Sequence, residues 1–202
     1  MPDFSYEERA KQKGYKYICG VDEAGRGPLA GPVCAAAVIL PEGLVIEGLN
    51  DSKKLTESKR EKLFDIIIEK AISYSVAFGT VEEIEEHNIL NATFIAMNKA
   101  IDGLEVRPDY ALIDGNRVPK GIKIDCETVV KGDAKSASVA AASVLAKVTR
   151  DRLLLRYAEK YPEYGFEKHK GYGTAAHYEA VRKCGLCPVH RPSFFKKFFE
   201  EE

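Results

Sequence analysis

Four acidic side chains mark the places where chemistry could gather in this chain. Asp22 and Glu23 close the apolar run 17–21, Asp114 closes the run 110–113, and Asp133 stands just ahead of a long alanine-rich stretch. Glycine lies close to each. An open α/β sheet builds its sites outside the carboxyl ends of its strands, so runs ending at 22 and 114, if parallel neighbours, bring Asp22 and Asp114 to one edge. Carboxylates that close repel, and at least one stays protonated without compensation. A divalent cation provides that compensation. No histidine or cysteine converges with them in the pattern, and an all-oxygen ligand set favours Mg²⁺ or Mn²⁺ over zinc. Two such ions roughly 3.5–4 Å apart can activate a water and stabilise the leaving oxygen of a phosphodiester. Against this stands the ordinary use of aspartate as a turn residue after a strand, and spacing alone does not make the four converge. Asp125 and Glu127 are further acids nearby; Asp151, in the run Arg150-Asp-Arg152, reads as a solvated ion-pair residue.

A scaffold must hold these acids. The chain has 202 residues, 45% apolar and 30% charged. That length buries about 70% of the unfolded surface, which excludes disorder, collagen and a disulfide-stapled mini-scaffold. Lys and Arg total 30 against 31 Asp and Glu, a net charge of −1. There is no global cationic field, so a nucleic acid would have to be held by local basic patches. The longest apolar run, 33–40, falls far short of the roughly 20 residues of a membrane span. The first residues mix both charges and have no apolar core, unlike a signal peptide. Of the five cysteines, Cys19 and Cys34 sit in apolar runs as buried thiols do. A reducing, cytoplasmic setting follows.

Along the chain, 17–21 and 33–40 read as strands of a hairpin whose connection, 25–32, is too rich in glycine and proline to be regular. Ser58-Lys-Arg-Glu61 matches a capping box, and Leu63, Ile66, Ile67 and Lys70 have the spacing of one buried helical face. A strand is expected over 74–78. A short helix opens at Thr80, and another is capped by Asn91, with Phe94, Met97 and Ile101 as its core stripe before Gly103. Strands are expected over 110–113 and within 123–130. The longest helix follows Asp133, with Ala141, Val144, Leu145 and Val148 inward, and Pro162 stops it. A further helix covers 174–183, and the paired phenylalanines of 193–199 suggest a docked terminal segment. Early strands and later alternation of helix and strand give an α/β sheet with helices on its faces.

Seven ordered motifs then carry a family resemblance. Gly20-Val-Asp-Glu-Ala-Gly-Arg-Gly-Pro-Leu-Ala-Gly-Pro-Val33 resembles the opening signature of ribonuclease HII, the type 2 ribonuclease H. In the same order come Asn50-Asp-Ser-Lys-Lys-Leu55, Leu112-Ile-Asp-Gly-Asn116, Lys131-Gly-Asp-Ala-Lys-Ser136, Ala141-Ala-Ser-Val-Leu-Ala-Lys-Val-Thr-Arg-Asp151, His169-Lys-Gly-Tyr-Gly-Thr174 and His190-Arg-Pro-Ser-Phe194. The resemblance implies a ribonuclease H-like fold: a mixed central sheet flanked by helices (1–160) with a C-terminal helical substrate-contact region (161–202) packed on it. It implies hydrolysis of RNA in RNA–DNA hybrids and incision 5′ to single ribonucleotides in duplex DNA, leaving a 3′-hydroxyl and a 5′-phosphate. Asp22, Glu23, Asp114 and Asp133 match the family's metal-site acids, with two Mg²⁺ or Mn²⁺ ions expected. Asp22 and Asp114 would hold the metals, Glu23 and Asp133 would complete their shells, and an activated water would attack in line.

Gly25, Arg26 and Gly27 resemble the family loop whose backbone meets the ribose 2′-hydroxyl, where glycine lets the backbone approach the sugar. Reading that hydroxyl distinguishes RNA from DNA at one position. Tyr172 matches the family tyrosine that packs on the following deoxyribose. Lys53, Lys54, Lys168, Lys170 and Arg191 are candidate phosphate contacts, and Lys147 could face the substrate. Cys184, Cys187 and His190 have metal-like spacing outside the family pattern, but the set is incomplete for zinc, and free thiols are expected. Three rivals remain: ribonuclease HIII, whose N-terminal domain has no room before residue 22; a non-catalytic hybrid-binding module; and another ribonuclease H-like nuclease such as a junction resolvase. The expected partner is ribonucleotide-containing duplex or hybrid, with no membrane, and the chain a monomer.

Overall fold

The seven residues of Val33–Ile39 are buried on both faces, which places this run in the interior of a covered sheet. Cys34, Ala36 and Val38 pack one way; Val33, Ala35, Ala37 and Ile39 pack the other. This period-two alternation feeds two separate cores. The computed structural model describes residues 2–200, apart from the side chain of Lys197.

In chain order the elements are α1 (Ser5–Gln12), β1 (Ile18–Ala24), β2 (Val33–Ile39), α2 (Glu57–Lys70), β3 (Ser73–Gly79), α3 (Val81–Asp102), β4 (Tyr110–Asp114), β5 (Asp125–Val129), α4 (Ala137–Lys160), α5 (Phe166–His169), α6 (Ala175–Cys184) and α7 (Lys196–Glu200). The sheet order is β3-β2-β1-β4-β5. β1, β2 and β3 are antiparallel neighbours, whereas β1, β4 and β5 run parallel. α2 and α4 cover one face and α3 covers the other. α4 crosses so close to β1 that a Cβ on Gly20 would lie 2.2 Å from the Ser138 carbonyl carbon. Glycine at 20 is what admits the helix.

Local chemistry moved several expected boundaries. α2 is capped by Thr56, whose hydroxyl accepts from the Lys59 amide, so the helix starts ahead of Ser58. Its buried residues are Leu63, Phe64 and Ile67, while Ile66 is exposed. Thr80 and Glu83 form a true capping box. The second cap is Asn88, not Asn91: its backbone leaves the helical region (φ 66°, ψ 164°) and its Oδ1 accepts from the Leu90 and Asn91 amides. α4 begins at the Ser136 cap and carries Ala141, Val144, Leu145 and Val148 inward. The C-terminal part packs on the 25–32 connection through Leu29, Ala30, Leu154, Tyr164, Phe166, Val181 and Phe195. Among the described residues, no helix is long and apolar enough to cross a membrane.

Candidate active site

Parallel pairing of β1 with β4 decides where the acids go. Val21 pairs with Ile113, so Asp22 and Asp114 follow side by side at the carboxyl ends of adjacent strands. Ligand oxygens of Asp22, Glu23 and Asp114 all lie within 4.8 Å of one another. Asp133 stands outside that trio but beside it. The Gly132 amide, one residue before it, donates to Asp114 Oδ1 at 2.7 Å. The turn that makes this possible starts at Lys131, in left-handed conformation (φ 58°).

The electrostatics are those of like charges held together. Asp22 is 4% exposed. Burial, then the charges of Glu23 and Asp114, push its carboxyl well above the usual range. Burial also raises Glu23; Arg26, 3.5 Å away, offsets part of this, and Asp114 adds to it. Asp133 is raised by burial, then by Asp114 and Asp51, and it shares a hydrogen bond with Asp51. The other cation on hand, besides Arg26, is Lys53. Burial works against its charge, but Asp22, Asp133, Asp51 and Asp114 outweigh this and hold its ammonium above its ordinary value. One lysine faces four acids. An all-oxygen set with this excess of negative charge fits a hard divalent cation.

Beside the acids lies a hollow of about 210 Å³ lined by Glu23, Gly25, Arg26, Gly27, Ser52, Lys53, Ser143, Lys147, Arg150 and Tyr172. Gly25 has φ +94°, which disfavours any side chain, and a Cβ there would collide with the Arg150 Nε at 1.9 Å. Lys147 donates to Asp151 at 2.8 Å. Asp151 is therefore an ion-pair residue but not a solvated one: it is buried, with Arg60 4.0 Å on its other side. Lys54 and Lys168 are exposed outside this hollow. Lys170 is partly buried and its ammonium donates to the Glu167 carbonyl. Arg191 is a correction. It is fully buried, and its guanidinium is spent on the carbonyls of Gly25, Arg26, Pro28 and Gly31, so it is not a surface contact for phosphate.

Behind Tyr172 the histidines form a chain. His177 Nδ1 donates to the Tyr172 carbonyl (3.0 Å), so its Nε2 accepts from His190 Nε2 (3.0 Å), whose Nδ1 accepts from the Cys187 amide (2.9 Å). Burial pushes both imidazoles down to about 4, which keeps them neutral. His190 is thus engaged within the fold, and Cys184 and Cys187 are free thiols.

The sequence pattern did not single out Asp51, Ser52, Ser143 or Arg150. Ser143 hydrogen-bonds both Asp22 and Ser52. The usable signal is a polar row, Ser143, Lys147 and Arg150, at helical spacing along α4.

Acids at the ends of parallel strands, beneath a helix that crosses the sheet, make up the site. The crystal structure of the ribonuclease H2 from Pyrococcus horikoshii OT3 superposes with a TM-score of 0.76 at 30% identity, over 93% of this chain and all of that one. The Bst-RNase HIII structure in complex with Mn²⁺ shares the fold at 18% identity, with a TM-score of 0.65 over 87% of this chain and 65% of that one. A Ribonuclease HII of Acetivibrio thermocellus is 58% identical over 193 residues, 96% of this chain and 75% of that protein. The family model Ribonuclease HII matches residues 19–199, and the chain belongs to that family. It is accordingly an endoribonuclease of the ribonuclease H type, acting on RNA in RNA–DNA hybrids and at ribonucleotides in DNA.

Proposed function

We propose that Asp22, Glu23, Asp114 and Asp133 hold two divalent ions, Mg²⁺ or Mn²⁺, and that the chain incises 5′ to a ribonucleotide in duplex DNA, leaving a 3′-hydroxyl and a 5′-phosphate. The observation that carries this reading is three carboxylates within 4.8 Å, adjoining a hollow lined by Gly25, Arg26, Gly27 and Tyr172. When bound, the ions would supply the positive charge that the cluster lacks and stabilise charge developing on the phosphate. The chain's own residues do the rest. Asp22 is aimed by the Glu23 amide (2.7 Å) and by Ser143, and Asp114 by the Gly132 amide. Lys53 and Lys147 face the incoming phosphate strand from the hollow. The backbone at Gly25, Arg26 and Gly27 meets the ribose hydroxyl, and the half-exposed Tyr172 ring takes the sugar that follows. Residues 161–202 serve as a substrate-contact region on the catalytic body 1–160, the last two lying outside the described residues. All four acids and both reading loops come from one chain, which suits a monomer. Five free cysteines suit a reducing cytoplasm.

The test is cleavage of a labelled duplex carrying one ribonucleotide, after chelation and with Mg²⁺ or Mn²⁺ restored. One product ending at the phosphate 5′ to the ribonucleotide is expected, only with metal. Cleavage in chelator, or of the all-deoxy duplex at a similar rate, would contradict the reading.

A further inference from the structure

Arg150 and Arg191 are 1% and 0% exposed. Among the described residues, neither has a carboxylate within ion-pair distance, which is unusual for a buried cation. Their partners are backbone carbonyls. Arg150 donates to Pro32 (3.1 Å), Ala30 (2.9 Å) and Lys170 (3.0 Å). Arg191 donates to Gly31 (2.8 Å), Arg26 (3.0 Å), Pro28 (2.7 Å) and Gly25 (2.7 Å). Six of these seven carbonyls belong to the 25–32 loop, so its oxygens are drawn inward onto the two guanidiniums. The seventh, Lys170, begins the loop that carries Tyr172. The two loops are also joined directly, the Leu29 amide donating to the Gly171 carbonyl at 2.8 Å.

Arg150 sits on α4, two helical turns beyond Ser143, a separation of about 10 Å along the axis. Ser143 touches Asp22, and the turn holding Asp133 leads into the same helix. One rigid element therefore reaches both the acids and the loops proposed to read the sugars.

We propose that Arg150 and Arg191 are positioning residues that set the register of incision, by pinning the 25–32 loop and the Tyr172 loop to α4 at a fixed distance from the acids. The proposal rests on the reading of those loops given above. Both guanidiniums act through the backbone, without touching substrate. Shortening either to lysine removes the planar fork that serves several carbonyls at once. The loops would then shift relative to the acids while the acids stay in place.

The experiment maps cut sites on a duplex with one ribonucleotide and on one with four consecutive ribonucleotides, comparing the full chain with Arg150→Lys and Arg191→Lys. Enzyme concentrations are adjusted to equal total cleavage of a uniform hybrid. The proposal expects preference for the wild-type position to fall at least fivefold, with cuts scattered over neighbouring phosphates. An unchanged distribution at a lower rate makes the arginines core residues only and overturns it. Should a lysine variant show no melting transition, Gly171→Ala provides the second probe. Its Cβ would meet the Ala30 carbonyl at 2.8 Å, opening the same joint while keeping both guanidiniums. Scattered cuts again support the proposal, and an unchanged pattern overturns it. A wild-type chain with no preferred position removes the loop reading and this proposal with it; a position kept by every variant removes this proposal alone.

Discussion

The acid edge and the arginine-backed loops lie side by side and handle buried charge in opposite ways. At the acid edge, Asp22, Glu23, Asp114 and Asp133 have Lys53 and Arg26 as nearby cations, and burial drives three of the four carboxyls upward. Under the loops, Arg150 and Arg191 have seven carbonyl bonds between them. Burial, then Arg150, still lowers Arg191 to about 9, so the carbonyls satisfy its geometry without cancelling its charge. The first region is left for an outside ion to complete. The second is completed by the chain itself. An open site and a closed brace are different uses of the same expense, the desolvation of charge.

The contrast can be broken first at the acids. Asp22→Asn should lower turnover at least a thousandfold, about 4 kcal/mol of barrier, while hybrid binding stays within a few-fold. Single-turnover cleavage and a binding titration check this; near-normal cleavage in saturating Mg²⁺ contradicts it. At the brace the loss should be one of stability. Arg191→Ala strands the carbonyls of Gly25, Arg26, Pro28 and Gly31 and should cost about 3 kcal/mol or more, by the same amount with or without Mg²⁺. Denaturant melts in both conditions decide it.

Acid sharpens the comparison, because the acid edge and the histidine pair behind the Tyr172 loop have opposite pH slopes. Buried carboxyls with raised values cost stability as pH rises, and the cost fades on acidification. His177 and His190 behave the other way. Their folded values of about 4 lie below the ordinary 6.5, so the unfolded chain takes up protons first. Their contribution is present above about pH 6.5 and lost as pH falls towards 4, on the order of 3 kcal/mol for either imidazole. Melts from pH 7 to 4.5 should show this decline, and His177→Gln should flatten it. A decline of equal size in that variant contradicts the assignment.

Much of the acid edge could be read before any coordinates, because it depends on strand ends. Asp22 and Asp114 each terminate an apolar run, and the motif order placed Asp133 with them. The brace was less legible. Arg191 looked like a basic surface residue because nothing in a linear pattern shows that a loop 160 residues earlier offers it a carbonyl. Asp151 looked solvated for the same reason, since Arg60 arrives from another helix. Asn88 is not marked as a cap in a linear pattern, because the kink it makes falls inside what reads as continuous helix. Contacts local in sequence were visible; contacts made by returning chain were not.

The central claim is that the acid cluster holds divalent cations, and metal-dependent melting tests it without relying on activity. Chelator-treated wild-type chain should gain about 5–10 °C at a hundredfold excess of Mn²⁺ over its dissociation constant. Asp22→Asn, already relieved of one repelling charge, should melt at or above the wild type in chelator and gain little from Mn²⁺. Equal Mn²⁺ shifts in the two proteins would place the ion elsewhere and contradict the account.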